Sequence, residues 1–183
     1  SMRTSVMATS TQLISISIQI VSPQLRRDIL QGKDVNLATL LIPGYNPDGD
    51  LRHIISDSAV YPLKASDTRL QSSLTIQEFI LAFNVYRNVM CEVYPARRPE
   101  LDAYLRDIVK MSSQFGGGTF YEYHKSFAAR SATLLLNHNI KIDWSKRDNN
   151  LYCTVFAGHK ANACSICNSL GHATNFCPQA AKG

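Results

Sequence analysis

Three cysteines and one histidine crowd into the end of this 183-residue chain, spaced C-x2-C-x4-H-x4-C: Cys164, Cys167, His172 and Cys177. Thiolate sulfur and imidazole nitrogen at such separations close a tetrahedron around Zn2+, and Gly171 lets the backbone turn tightly enough to bring His172 in. Protein groups would fill all four positions, whereas a catalytic zinc keeps one open. One structural Zn2+ per chain is therefore expected. The alternative is four residues clustered by chance, with thiols reduced and buried or paired as disulfides. The five cysteines are an odd number, and no convincing secretion signal precedes them, so the expected setting is reducing and intracellular, cytoplasmic or nuclear. Cys153 and His159 lie just upstream as competing ligands, although the end of a helix and its exit turn is the simpler place for them.

The charge distribution points to a partner. Residues 1–122 carry 12 Lys+Arg and 12 Asp+Glu and so balance. Beyond them Lys125, Arg130, Lys141, Lys146, Arg147, Lys160 and Lys182 face only Asp143 and Asp148, which places the whole net charge of +5 toward the knuckle. A Zn2+ held by three thiolates carries a formal −1 and lowers that excess slightly. A basic skew of this kind suits an anionic partner, single-stranded RNA or DNA above all, with Lys141, Lys146, Arg147 and Lys160 as the candidate contacts. A solvated basic surface without a partner is the competing reading. No apolar run is long enough to cross a bilayer, so no membrane partner is expected.

No other grouping suggests catalysis or a small-molecule substrate, and the chain is expected not to be an enzyme. Gly116-Gly117-Gly118 lacks the Lys-Ser or Lys-Thr and the preceding strand of a phosphate loop, and reads as a flexible turn between helices. Cys91 on an amphipathic helix is expected to be buried and inert, and His124, between Tyr123 and Lys125, to face solvent. Carboxylates are scattered singly, without an acid and base pair.

These residues need a scaffold, and the periodicity supplies a helical one. Ser22-Pro23 opens a short helix through Leu25, Ile29 and Leu30 that Gly32 stops, and another short helix follows Asp34 through Leu37, Leu40 and Leu41. Residues 43–68 read as a long loop. Thr75 and Glu78 form a capping box before Ile76, Phe79, Ile80, Phe83, Tyr86 and Met90, a run ended by Pro95. A helix from Arg98-Pro99 aligns Leu101, Tyr104, Leu105, Ile108 and Met111. A second capping box, Thr119 with Glu122, precedes Phe120, Tyr123, Phe127, Leu134 and Leu135. A last helix starts at Asp143 or Ser145, carries Leu151, Tyr152, Val155 and Phe156, and stops at Gly158, with Trp144 pinning it to the bundle. Ser1-Met2 reads as a cloning remnant, while Ile14, Ile16, Ile18 and Ile20 alternate with polar residues as an extended strand, a candidate assembly arm. The expected fold is mainly α: an N-terminal extended arm with a possible short strand over 1–21, a small helical bundle over 22–158, and a CCHC zinc knuckle and tail over 159–183.

The stretches LTIQEFILAFNVYRNVMCEVYP with RRPELDAYL, FGGGTFYEYHKSFAAR, DWSKRDNNLYC and CSICNSLGHATNFCP resemble the Gag-like first-frame proteins of DIRS and Ngaro retrotransposons, elements that use a tyrosine recombinase. The likeness covers residues 69–178, and only faintly 22–42. It implies a structural protein of the element: a helical domain that self-associates into a homo-oligomer, and a knuckle that engages the element's RNA or cDNA, with Cys164, Cys167, His172 and Cys177 matching the metal ligands. The chain departs from retroviral knuckles, which place an aromatic or large apolar residue after the first Cys and after the His to stack an unpaired base. Ser165 and Ala173 stand there instead, and no charged residue lies between Cys164 and Cys177. Ile166, Leu170 and Phe176 are left as a different apolar surface, expected to pack the knuckle onto the bundle.

Overall fold

The computed structural model describes residues 21–47, 70–160, 164–167, 172 and 174–180. The expected strand at Ile14–Ile20 and the loop from residue 48 onward lie outside them. Within them the chain is mainly helical: α1 (Pro23–Leu30), a 3-10 turn η1 (Leu37–Leu41), α2 (Ile76–Val93), a 3-10 turn η2 (Pro95–Arg97), α3 (Arg98–Phe115), α4 (Thr119–His138), α5 (Asn149–Lys160) and a 3-10 turn η3 (Thr174–Phe176).

Local chemistry sets the ends of these elements. Ser22 caps α1 by accepting from the Leu25 amide at 3.3 Å, and Pro23 supplies a preset φ at the first turn. Gly32, at φ +72, leaves the helix in a left-handed turn that favours a glycine, and a Cβ there would stand 2.4 Å from Leu135 Cδ2 and displace that methyl. The second short helix is only a 3-10 turn. Ile42 precedes Pro43, whose ring disfavours helical geometry at that residue, and Ile42 is extended. Too few residues remain after the Asn36 cap for an α-helix.

The Thr75 box forms in full: the Glu78 amide donates to Thr75 Oγ1 at 3.2 Å and the Thr75 amide to Glu78 Oε2 at 2.8 Å. The second box does not form. Gly116 and Gly117, both at positive φ, turn the chain so that Gly118 is the cap and Thr119 is already helical. Glu122 pairs with Lys125 instead. α4 ends with Asn139 left-handed, its amide donating to the Leu135 carbonyl at 3.1 Å and the Ile140 amide to the Leu134 carbonyl at 2.9 Å, which satisfies two of the last carbonyls.

α5 begins later than expected. Asp143 spends its carboxylate on a local turn, accepting from the Ser145 amide at 2.9 Å, and Asp148 caps the helix through the Leu151 amide at 3.0 Å. The helix also runs past Gly158 to Lys160.

α1 and η1 pack on α2, α2 on α3, α3 on α4, and α5 on α4 and α3. The core is aromatic. Phe79 of α2 meets Phe120 and His124 of α4 edge-on at 5.7 and 4.9 Å, and Phe115 of α3 meets Phe156 of α5 at 4.2 Å. Trp144 does pin the segment before α5. Its ring lies on Tyr86, Tyr104 and Phe127, and its amide donates to Glu100 Oε1 at 3.0 Å. Among the described residues, no helix is long and apolar enough to cross a membrane.

Candidate metal centre

Past α5 the chain changes character, from helices to tight turns. Cys164 leads into a turn through Cys167, His172 follows, and η3 delivers Cys177. Two hydrogen bonds tie the halves: Thr174 Oγ1 lies 3.0 Å from the Ser165 amide that donates to it and 3.2 Å from Ser165 Oγ. The Cys177 amide closes η3 onto the Thr174 carbonyl at 3.2 Å. Ser165, which cannot stack a base, thus has a structural use.

The result is convergence. One ligand atom from each of Cys164, Cys167, His172 and Cys177 lies within 4.8 Å of all the others, and His172 Nε2 is 3.3 Å from Cys167 Sγ. Around a tetrahedral zinc, sulfurs sit about 3.8 Å apart and sulfur and nitrogen about 3.5 Å. The arrangement is close enough to hold one metal ion. Compared with protein-family models, curated proteins and solved structures, the chain matches none.

The electrostatics fit a cation. Cys164 and Cys177 are buried and Cys167 half-buried. Burial alone would raise the Cys164 thiol, but the Cys167 and Ile166 amides and the neighbouring Cys177 and Cys167 sulfurs outweigh it and bring it down to about 6. The Ile166 amide lies 3.4 Å from that sulfur. Three sulfurs and an imidazole brought this close, with no charged side chain between residues 164 and 177, suit a positive ion among them.

All five cysteines are free thiols. Cys153 is exposed on α5 and stands outside the cluster. The side chain of His159 lies outside the described residues, as does that of Lys160. Cys91 is buried in the bundle, where desolvation holds its thiol above the usual range.

The basic candidates divide. Lys141, Lys146 and Arg147 line one open depression of about 450 Å³, together with Arg130, Asp143 and Asp148. Arg147 is committed elsewhere: its guanidinium grips Asp107 of α3, with Nε 3.0 Å from Oδ2, and lies over the Tyr152 ring at 4.3 Å. Arg130 pairs with Asp148. Lys141 and Lys146 make no ion pair with any described residue. In the sequence Arg130 stands out only as one of the basic residues beyond position 122. Its position in the depression depends on α4 crossing the segment before α5, which no local spacing announces.

His124 is the plain reversal. It is buried, with its Nδ1 3.0 Å from the Tyr104 hydroxyl, and desolvation pushes its pKa down to about 3. It is a neutral core histidine.

Of the knuckle's expected apolar surface, Leu170 lies outside the described residues and the described part does not pack onto the bundle. Among the described residues η3 packs against none of the helices, and Ile166 and Phe176 are exposed.

Proposed function

We propose that this chain is a non-enzymatic, Gag-like structural protein of a retrotransposon, which self-associates and binds single-stranded nucleic acid through a zinc knuckle and nearby basic residues. The observation that carries the reading is the convergence of Cys164, Cys167, His172 and Cys177 within 4.8 Å. Three thiolates and an imidazole in a closed tetrahedral set are ligands that zinc takes with little geometric strain, which makes Zn2+ the ion of choice. The ion holds the tail in one shape and does no chemistry on a substrate.

The sequence likeness supports self-association, and the basic excess toward the tail supports nucleic acid. Lys141 and Lys146 are the phosphate contacts on this reading, because among the described residues they form no ion pair. Arg147 anchors α3 to the segment before α5 through Asp107 and contributes to the field more than to a contact.

The absence of charge between Cys164 and Cys177 favours a second reading, a protein-interaction or oligomerisation module whose zinc is purely structural. Salt separates the two. Counterion release makes the logarithm of affinity for single strands fall by about 0.7 per contacted phosphate for each decade of salt. Anisotropy titrations of a short labelled RNA at rising salt should show that slope, reduced by about two contacts in a Lys141→Ala/Lys146→Ala variant. A dissociation constant indifferent to salt would end the nucleic-acid reading.

A further inference from the structure

Between the turn after α1, the helices α2 and α4 and the segment before α5 lies a cavity of about 270 Å³. Close-packed interiors leave few voids larger than one water, and an apolar cavity of about 150 Å³ already takes up a benzene molecule. This one has room for a ring with a short tail. Its walls include the rings of Phe83, Tyr86 and Trp144, with Tyr86 stacked on Phe83 at 5.6 Å and on Trp144 at 5.9 Å. Three cations also line it, Lys33, Arg97 and Lys141, and no carboxylate of a described residue does. We propose that the cavity binds a small apolar monocarboxylate, an aryl ring on a short acid tail, with the ring against Phe83 and Trp144 and the carboxylate held by the Tyr86 hydroxyl and the charges of Arg97 and Lys141.

The donors select this ligand. Tyr86 is 6 % exposed, and among the described residues its hydroxyl has no hydrogen-bond partner. A buried hydroxyl without a partner has given up hydration for nothing, so an acceptor carried in by a ligand is worth more there than at the surface. Burial also pushes the phenol up to about 12, which keeps it a neutral donor. Arg97 is oriented by Glu100, which accepts from its Nε and Nη2 at 3.3 and 2.9 Å and from the Trp144 amide at 3.0 Å. Its Nη1 takes no part in that clamp and remains to donate. The acids that act on Tyr86, Glu100 and Asp34, stand outside the lining. Charge sets the valence of the ligand. Glu100 balances Arg97 and Asp28 balances Lys33, whereas Lys141 forms no ion pair with a described residue. One uncommitted cation calls for one negative charge, and the aromatic wall calls for an apolar body behind it. The site is independent of the nucleic-acid reading, although Lys141 also lines the basic depression.

The test titrates the full chain with phenylbutyrate and with its neutral amide, phenylbutyramide, and reads binding from backbone amide shifts in nuclear magnetic resonance spectra. Phenylbutyrate should saturate at millimolar concentration or below, move the amides of Phe83, Ala128 and Trp144, and bind roughly 5- to 10-fold tighter than the amide. Tyr86→Phe should weaken the acid roughly 10-fold, while the melt of the bundle stays where it was or rises, since the hydroxyl has no protein partner to lose. Lys141→Ala should weaken the acid about 2- to 5-fold and leave the neutral amide unchanged. A parent chain that shows no saturable binding, or that binds acid and amide equally, overturns the site. So does a Tyr86→Phe variant that binds the acid as well as the parent, because the carboxylate is then held elsewhere. Should Tyr86→Phe lower the melt, Lys141→Ala decides on an exposed side chain, and an unchanged affinity for the acid there overturns the proposal.

Discussion

Phe79 and Cys164 are both sealed from water, but their neighbourhoods differ in kind. Phe79 lies among rings: Phe83 stacked at 5.6 Å, Phe120 and His124 edge-on. Cys164 lies among other ligands and amide donors. In the bundle, stabilisation is spread over many side chains, each adding a little as it leaves water. In the tail it would be concentrated in the single ion that the four ligands are close enough to hold, because so short a segment has no apolar core of its own. The first kind of structure weakens by degrees, and the second is lost at a stroke. Since η3 packs against no described helix, the two should fail independently.

The largest effect follows from removing a ligand. Structural zinc in small fingers is bound with about 10–16 kcal/mol, so Cys177→Ser should abolish the metal adduct in native mass spectra while the far-UV melt of the bundle stays where it was. The reciprocal experiment is Phe79→Ala, which should cost the bundle about 3–5 kcal/mol and leave one metal ion per chain. Loss of metal in the second variant, or a lowered melt in the first, would show that bundle and tail stabilise each other.

Acid should strain the bundle next. His124 is held at about 3 by burial, against about 6.5 in the unfolded chain. Its folded value is the lower, so below 6.5 the unfolded chain takes up a proton that the folded one refuses, and stability falls with pH across that window until about 3. At pH 5 the loss amounts to about 2 kcal/mol relative to neutral pH. The residues against the imidazole are the Tyr104 hydroxyl and the rings of Phe79 and Tyr121, and none of them supplies a compensating negative charge. Asp34, whose carboxyl burial holds above its usual range, works in the opposite direction, which makes His124→Gln the control. Denaturant melts at pH 7 and pH 5 should differ by that amount in the parent and much less in the variant; equal slopes would move the acid sensitivity to another group.

What was legible in the sequence divides along the same line. The metal set could be read from spacing because short loops leave ligands few places to go, and three amphipathic helices could be read from their apolar period. His124 shows what was missed. Phe120, His124, Phe127 and Ser131 recur at helical spacing and all are buried, so the face was visible, but the flanking Tyr123 and Lys125 suggested a wet surface. Arg147 is harder to foresee. Its partner Asp107 lies 40 residues away, and only the packing of α3 beside the segment before α5 pairs them. The start of α5 lies beyond both of the expected starts, Asp143 and Ser145. Asp148 took the capping role where its amide meets the Tyr123 hydroxyl at 3.0 Å and its carboxylate meets Arg130, contacts that exist only once α4 is in place.

The smallest predicted effect isolates that dependence on context. Thr75 and Thr119 present the same T-x-x-E signal, yet Thr75 stands outside its helix and caps it, while Thr119 lies one residue inside. Thr75→Ala should therefore cost about 1 kcal/mol, as the Glu78 amide loses its acceptor at the start of α2. Thr119→Ala gives up no side-chain cap of α4, so its loss should fall short of that of Thr75→Ala. Equal losses from both substitutions would mean that the glycine turn yields and that α4 caps on Thr119 in solution. A loss from Thr75 alone would mean that Gly116 and Gly117, by fixing the direction in which the chain enters α4, override a signal that works elsewhere in the same bundle.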